Sequence, residues 1–484
     1  MARVNTNSPL KRAIKSFVIG IALLSSGCST FTARLSDADQ SPLLPPGTAK
    51  GLSRDAPNPE KGLNFRRAYF GIARQAELDA YLNEILARLQ KAYTDIPEPA
   101  HVFVVPDSSY SANATEDGAI FVPFGILLDI ESEDELAALL AHEYSHVLLG
   151  HHITGNAEEI WNYIHGLTNL ALRTQLIAQK TLPLLANEAA LEMIQSAAIP
   201  VLDRSQEDDA DKLGTDLLIA AGYNSIGMYE LLGRMKRWDE LNEEQKKSRE
   251  SLLEMASDSF KIDSKRMEVD FTPMITGVSE SILEARDWLR KKHYDTKERQ
   301  DTIRDYIKTV HSGAPRPEKR ITQWVGVKNS PSVKSFLDGL ALMRDLNRSL
   351  VKLNAPTVTK LVDKMMTTQA GNVPYLHYSA FKAYKSVGLN AEAIAVLKKD
   401  ELSPDSLLPQ HMELIAIAEK KSADEGLKSA LSANQVLGEP PQLMPKLIHL
   451  YKKTGNKVAM TGWHAKCVAT GVNALMNECD KQAH

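Results

Sequence analysis

Ser132-Glu-Asp-Glu135-Leu136-Ala-Ala-Leu139-Leu140-Ala-His142-Glu143-Tyr144-Ser145-His146 is the stretch that decides the fold. Ser132 followed three residues later by Glu135 is a capping box, so a helix opens at about residue 133. Leu136, Leu139 and Leu140 then recur at helical spacing, which predicts a helix over about 133–149. Two histidines four apart on that helix project from one face, one turn apart.

That geometry suits a metal. His142 and His146 can both ligate a tetrahedral zinc, and one zinc ion per chain is the expected cofactor. Glu143 follows the first histidine, so its carboxylate can meet a water at the metal without ligating. There it can take the water's proton and pass it to a leaving amine.

A catalytic zinc needs a third protein ligand. His152 lies ten residues after His142, the offset used by metzincins. That class places a glycine seven residues after the first histidine, to turn the chain back to the metal. Leu149 stands there instead, with the glycine one later at Gly150. If the helix continued, His152 would point roughly 120° away from His146 and lie over a turn beyond it. The other candidate is Glu207, in Gln206-Glu207-Asp208-Asp209-Ala210-Asp211. Glu207 and Asp211 share a face if this segment is helical, with one carboxylate for zinc and one for a ligating imidazole. Such an acidic run is also an ordinary helix start, where acids favour the dipole; its place after the histidine helix favours the ligand reading.

Around this centre the chain reads as mostly α with a small β-sheet. Residues 75–92 carry Leu78, Leu82, Ile85, Leu86 and Leu89 at helical spacing. His101-Val-Phe-Val-Val105 and Ala119-Ile-Phe-Val122 read as strands, with a turn-rich segment from Pro106 to Gly118 between them. Residues 157–200 are apolar and helical in character, and within 203–222 another helix is expected to start near Gln206 and stop around Gly222. From about residue 330 the pattern changes to helical hairpins. Tyr378-Ser-Ala380-Phe381-Lys-Ala-Tyr384-Lys-Ser-Val-Gly388-Leu-Asn-Ala391 is echoed at Leu447-Ile-His-Leu-Tyr451-Lys-Lys-Thr-Gly455. The two glycines are about twice a tetratricopeptide repeat apart. Leu353-Asn-Ala355 also echoes Leu389-Asn-Ala391.

The N-terminus has a separate purpose. Arg3, Lys11, Arg12 and Lys15 precede the apolar run Phe17–Leu24, and Ser25-Ser26-Gly27 then lead into Cys28. A cationic stretch, a short apolar run and small residues make a secretory signal over 1–27, too short for a comfortable membrane span. A cysteine directly after it resembles a bacterial lipoprotein processing site, although Ser25 stands where an aliphatic residue is usual. Lipidated Cys28 would anchor the chain, and Ser29 after it resembles the outer-membrane sorting pattern. Residues 28–60, with Pro42, Pro45, Pro46, Pro57 and Pro59, read as a tether. The expected location is the periplasm, at the outer membrane. Cys467 and Cys479 are then a disulfide candidate in an oxidising compartment. A bridge requires a turn between them, which Gly471 could supply; two unpaired buried thiols are the other reading.

The net charge of −4 with 24% charged residues offers no polyanion-binding surface, so nucleic acid is not expected as a partner.

In chain order, Asn113-Ala114, Gly118-Ala-Ile-Phe-Val122, Gly125-Ile-Leu127, Glu135-Leu-Ala-Ala138, His142-Glu-Tyr-Ser-His146, Gly150-His151 and Glu207-Asp-Asp-Ala-Asp211-Lys-Leu-Gly214 resemble the gluzincins related to HtpX and Oma-type proteases. The resemblance covers roughly residues 65–310; beyond that only the architecture is similar. It implies a zincin-type α+β peptidase domain over 61–315 and a tetratricopeptide-like helical domain over 330–484. It implies His142, His146 and Glu207 as zinc ligands, Glu143 as catalytic base and acid, and Asp211 behind a ligand. The strand at Asn113-Ala114 would pair with extended substrate. The family also carries a Thr-His-Pro followed by Glu-Arg; the nearest match here is Lys292-His293-Tyr294, then Glu298-Arg299. His293 would stabilise the oxyanion or act as a reversible fourth ligand. The expected function is a zinc endopeptidase that cleaves misfolded or stalled envelope proteins, with protein partners on the helical repeats. The alternative is a client-binding assembly factor whose metal site is auxiliary.

Overall fold

The computed structural model describes residues 71–93, 100–110, 112–115, 118–151, 204–238, 240, 296–349 and 353–483. The leader, Cys28, the tether, His152, residues 157–200 and His293 lie outside the described residues.

The chain is mostly helical with one three-stranded sheet. Helix α1 (Ala76–Tyr93) buries Leu78, Leu82, Ile85, Leu86 and Leu89 as the spacing predicts. Strands β1 (His101–Val105), β2 (Asn113–Ala114) and β3 (Ala119–Pro123) follow in the order β1-β3-β2. β1 runs parallel to β3, in the register Phe103 to Phe121. β2 runs antiparallel to β3, with Asn113 opposite Phe121. Side chains alternate across a strand, so Val102, Val104, Ile120 and Val122 enter the main core. Phe103, Val105, Ala119 and Phe121 form a second cluster with Ile72. The sheet is therefore covered on both faces.

A short helix α2 (Phe124–Asp129) follows directly on β3, where the sequence pattern signals no helix. Gly125 makes this possible: a Cβ there would stand 2.2 Å from the Ser108 carbonyl oxygen of the crossing loop.

Helix α3 (Glu133–Leu149) carries the histidines and is buried along nearly its whole length. The Ser132 hydroxyl accepts the Glu135 N–H at 3.2 Å and caps the helix. Its start is also anchored from outside. Glu133 accepts hydrogen bonds from Tyr81 Oη (2.6 Å) and Arg88 Nη1 (2.8 Å). Asp134 accepts the backbone N–H groups of Asn224 (2.8 Å) and Arg320 (2.7 Å). Gly150, at φ +69°, ends the helix in the left-handed conformation that glycine tolerates best.

Helix α4 (Arg204–Ala220) packs along α3. Gly214 sets the approach: a Cβ there would lie 2.9 Å from the Met228 methyl and 3.1 Å from the His142 nitrogen. Residues 226–238 form a further helix, and α5 (Thr296–Thr309) packs on α4.

Helix α6 (Ile321–Lys328) lies between the two expected domains and packs on α1 and α3. Its fully buried Trp324 donates its indole N–H to the Ile130 carbonyl at 2.8 Å. Then come α7 (Pro331–Ser349), α8 (Ala355–Met366), α9 (Pro374–Ser386), α10 (Asn390–Leu397), α11 (Leu408–Glu419), α12 (Ala423–Val436), α13 (Met444–Lys453), α14 (Lys457–Val468) and α15 (Asn473–Ala483). Among them α9 packs on α10, α11 on α12 and α13 on α14. Gly388 and Gly455, both at positive φ, turn α9 into α10 and α13 into α14. Each turn closes with the same bond, Leu389 N–H to Tyr384 O (2.9 Å) and Asn456 N–H to Tyr451 O (3.0 Å). The other echo is not a shared turn. Asn354 caps α8 through the Thr357 N–H, whereas Asn390 is already inside α10.

Cys467 and Cys479 are joined by a disulfide, with Cα atoms 6.6 Å apart and Gly471 at φ +69° in the turn between α14 and α15. No helix among the described residues is long and apolar enough to cross a membrane.

Candidate metal centre

The cap and apolar stripe of α3 seat it in the core, so its third and fourth turns present His142 and His146 to α4. Their Nε2 atoms are 3.1 Å apart and the rings meet edge to face. Glu207, in the first turn of α4, reaches them from across: Oε2 is 3.6 Å from His142 Nε2, and Oε1 is 3.9 Å from His146 Nε2. These three side chains, all buried, are the one group among the described residues that could hold a metal ion. Two imidazole nitrogens and a carboxylate oxygen suit zinc and leave a position for water or substrate.

On the far side of the His142 ring, Asp211 Oδ1 lies 2.9 Å from Nδ1. Glu207 and Asp211 are one turn apart on α4, so a single face supplies both carboxylates. Arg299 of α5 binds both: Nη1 meets Glu207 Oε2 at 2.8 Å, and Nε and Nη2 meet Asp211 at 2.8 and 2.9 Å. Burial opposes ionisation of Asp211, but the guanidinium prevails and holds that carboxyl well below the usual range. Glu143 sits beside His142 and is only 5% exposed; burial pushes its carboxyl up to about 7, against the opposing effect of His142.

Asn113 and Ala114 form the end strand of the sheet order, and β2 packs against α3. His293 and Cys28 lie outside the described residues. Arg299 was visible in the sequence only as part of a Glu-Arg pair with no role attached. Its pairing with residues 92 and 88 positions earlier becomes apparent only in three dimensions. His151, half-buried just past the end of α3, was likewise given no role; its ring nitrogen Nδ1 is 3.2 Å from His146 Nδ1.

A helix-borne His-Glu-x-x-His pair, completed by a carboxylate from a later helix beside a small sheet, defines a gluzincin-type metallopeptidase. The chain matches the model of Peptidase family M48 over residues 73–328, more than half of its length, and belongs to that family. It is similar to a Vibrio cholerae protein that carries, provisionally, the name beta-barrel assembly-enhancing protease, with 27% identity over 164 residues. It is also similar to the beta-barrel assembly-enhancing protease of Yersinia pestis, with 24% identity over 160 residues. The matches cover 33% of this chain and 33% and 32% of the two relatives, so the chain aligns with about a third of each relative's length.

Proposed function

We propose that the chain is a zinc-dependent endopeptidase of the bacterial cell envelope that cleaves misfolded or stalled outer-membrane proteins. The observation that carries this reading is the convergence of His142 Nε2 and His146 Nε2, on the buried α3 beside Glu143, with the Glu207 carboxylate of α4. His142, His146 and Glu207 would hold one zinc per chain. Zinc, when bound there, lowers the pKa of water and polarises the scissile carbonyl.

The remaining work belongs to the chain. Glu143 takes the proton of the attacking water and returns it to the leaving nitrogen. Burial favours the protonated carboxyl, which suits a group that must hold the proton before passing it on. Asp211 orients His142 through Nδ1, and Arg299 holds the Asp211 and Glu207 carboxylates in place by its ion pairs to both. An extended substrate adds to the sheet alongside β2, which brings its backbone over α3. The helical region after residue 330, read as tetratricopeptide-like, docks clients or partner proteins. The leader and lipidated Cys28 place the enzyme on the periplasmic side of the outer membrane; the sequence pattern and the relatives' names support that location.

Metal content by mass spectrometry tests the site. The wild type should carry one zinc and Glu207→Ala should lose it, together with cleavage of an unfolded β-barrel protein. Undiminished zinc and cleavage in Glu207→Ala would overturn the ligand set.

A further inference from the structure

The end of α3 does more than stop the helix. Gly150, in the left-handed conformation, reverses the chain so that the His151 N–H bonds back to the His146 carbonyl at 3.0 Å. This backbone clasp fixes the origin of the His151 side chain one turn above His146. The two rings then lie 5.4 Å apart, with Nδ1 of one 3.2 Å from Nδ1 of the other. The contact is on the side of the His146 ring away from the metal group, because Nε2 faces His142 and Glu207.

Only one proton arrangement is compatible with ligation. If His151 donated, the His146 proton would sit on Nε2, pointing at His142 Nε2 and blocking the lone pair. With Nε2 free to ligate, the proton is on Nδ1, and His151 Nδ1 is the acceptor. The two ligands thus have unlike supports: Asp211, a carboxylate, behind His142, and an imidazole behind His146.

We infer that His151 is a positioning residue for His146, its Nδ1 accepting the His146 Nδ1–H and so fixing the tautomer and orientation that zinc binding requires. The inference rests on the zinc site proposed above. Partners of this kind typically change metal affinity by about 10- to 100-fold.

The test is zinc affinity of the full-length protein, measured by competition with a chelating dye, for wild type, His151→Leu and His151→Asn. His151→Leu should bind zinc about 10- to 100-fold more weakly with an unchanged circular dichroism spectrum. His151→Asn, whose carbonyl oxygen takes the place of Nδ1, should return to within about threefold of wild type, a rescue that simple space-filling would not give. Nitrogen-15 shifts of labelled histidines in the zinc-loaded wild type should show the His146 proton on Nδ1. Wild-type affinity in His151→Leu, equal losses in Leu and Asn, or a proton on Nε2 would each overturn the inference while leaving the zinc site standing. A wild type that binds no zinc would instead overturn the site itself.

Discussion

Arg299 closes on Asp211 with two parallel hydrogen bonds, Nε to Oδ2 at 2.8 Å and Nη2 to Oδ1 at 2.9 Å, where neither residue is more than 6% exposed. Its third nitrogen is on Glu207, so one guanidinium fixes both the proposed ligand carboxylate and the one behind His142. A planar fork of donors matches this double demand in a way that a lysine does not.

Removing that fork should therefore affect metal and fold together. Arg299→Leu strips two buried carboxylates of their guanidinium partner, which costs about 3–5 kcal/mol. Urea unfolding of the metal-free protein should show that loss, and zinc content should fall. Wild-type stability with full zinc would show that the two acids do not depend on Arg299.

Gly214 predicts a second route to the same loss. A Cβ at this position would stand 3.1 Å from the His142 backbone nitrogen, so Gly214→Val must push α4 outward and carry Glu207 with it. Zinc affinity should fall by about 100-fold, while Gly326→Ala, at a position with open space, should leave zinc affinity at the wild-type value. Equal affinity in Gly214→Val and wild type would contradict the close-packing account.

Trp324 ties α6 to the end of α2 and the start of α3 through the Ile130 carbonyl. Trp324→Ala should destabilise the protein by about 3–5 kcal/mol, from the cavity and the lost hydrogen bond. Chemical unfolding followed by circular dichroism would measure it; a change below about 1 kcal/mol would contradict the packing role.

The helical region carries a pH dependence of its own. His411, buried and facing Ser406 Oγ at 2.8 Å, has its pKa pushed down to about 4 by burial, with Asp400 opposing. In the unfolded chain this histidine takes up a proton near 6.5, whereas the folded chain does not until about 4. The unfolded state thus binds more protons in that window, and stability falls as pH drops through it, by up to about 3 kcal/mol. His411→Gln should flatten that part of the stability profile; an unchanged slope would assign the acid sensitivity elsewhere.

The centre was legible in the sequence because its signals are local. A cap, an apolar stripe and two histidines one turn apart lie within fifteen residues, and Glu207 and Asp211 share one face of the next described helix. What escaped is what long-range packing decides. Arg299 finds its partners on a different helix, Trp324 reaches Ile130 across most of the peptidase region, and α2 depends on a glycine contacting a loop backbone. His151 escaped for another reason: a helix extrapolated past Gly150 turns it away from His146, whereas the left-handed glycine turns it back.

The most direct test of the account is Glu143→Gln, which keeps the shape of the side chain and removes the base. Zinc per chain and cleavage of an unfolded outer-membrane protein should be measured on the same samples. The account predicts one zinc per chain in both proteins, with cleavage at least about 100-fold slower in the variant. Cleavage at the wild-type rate by zinc-loaded Glu143→Gln would contradict it.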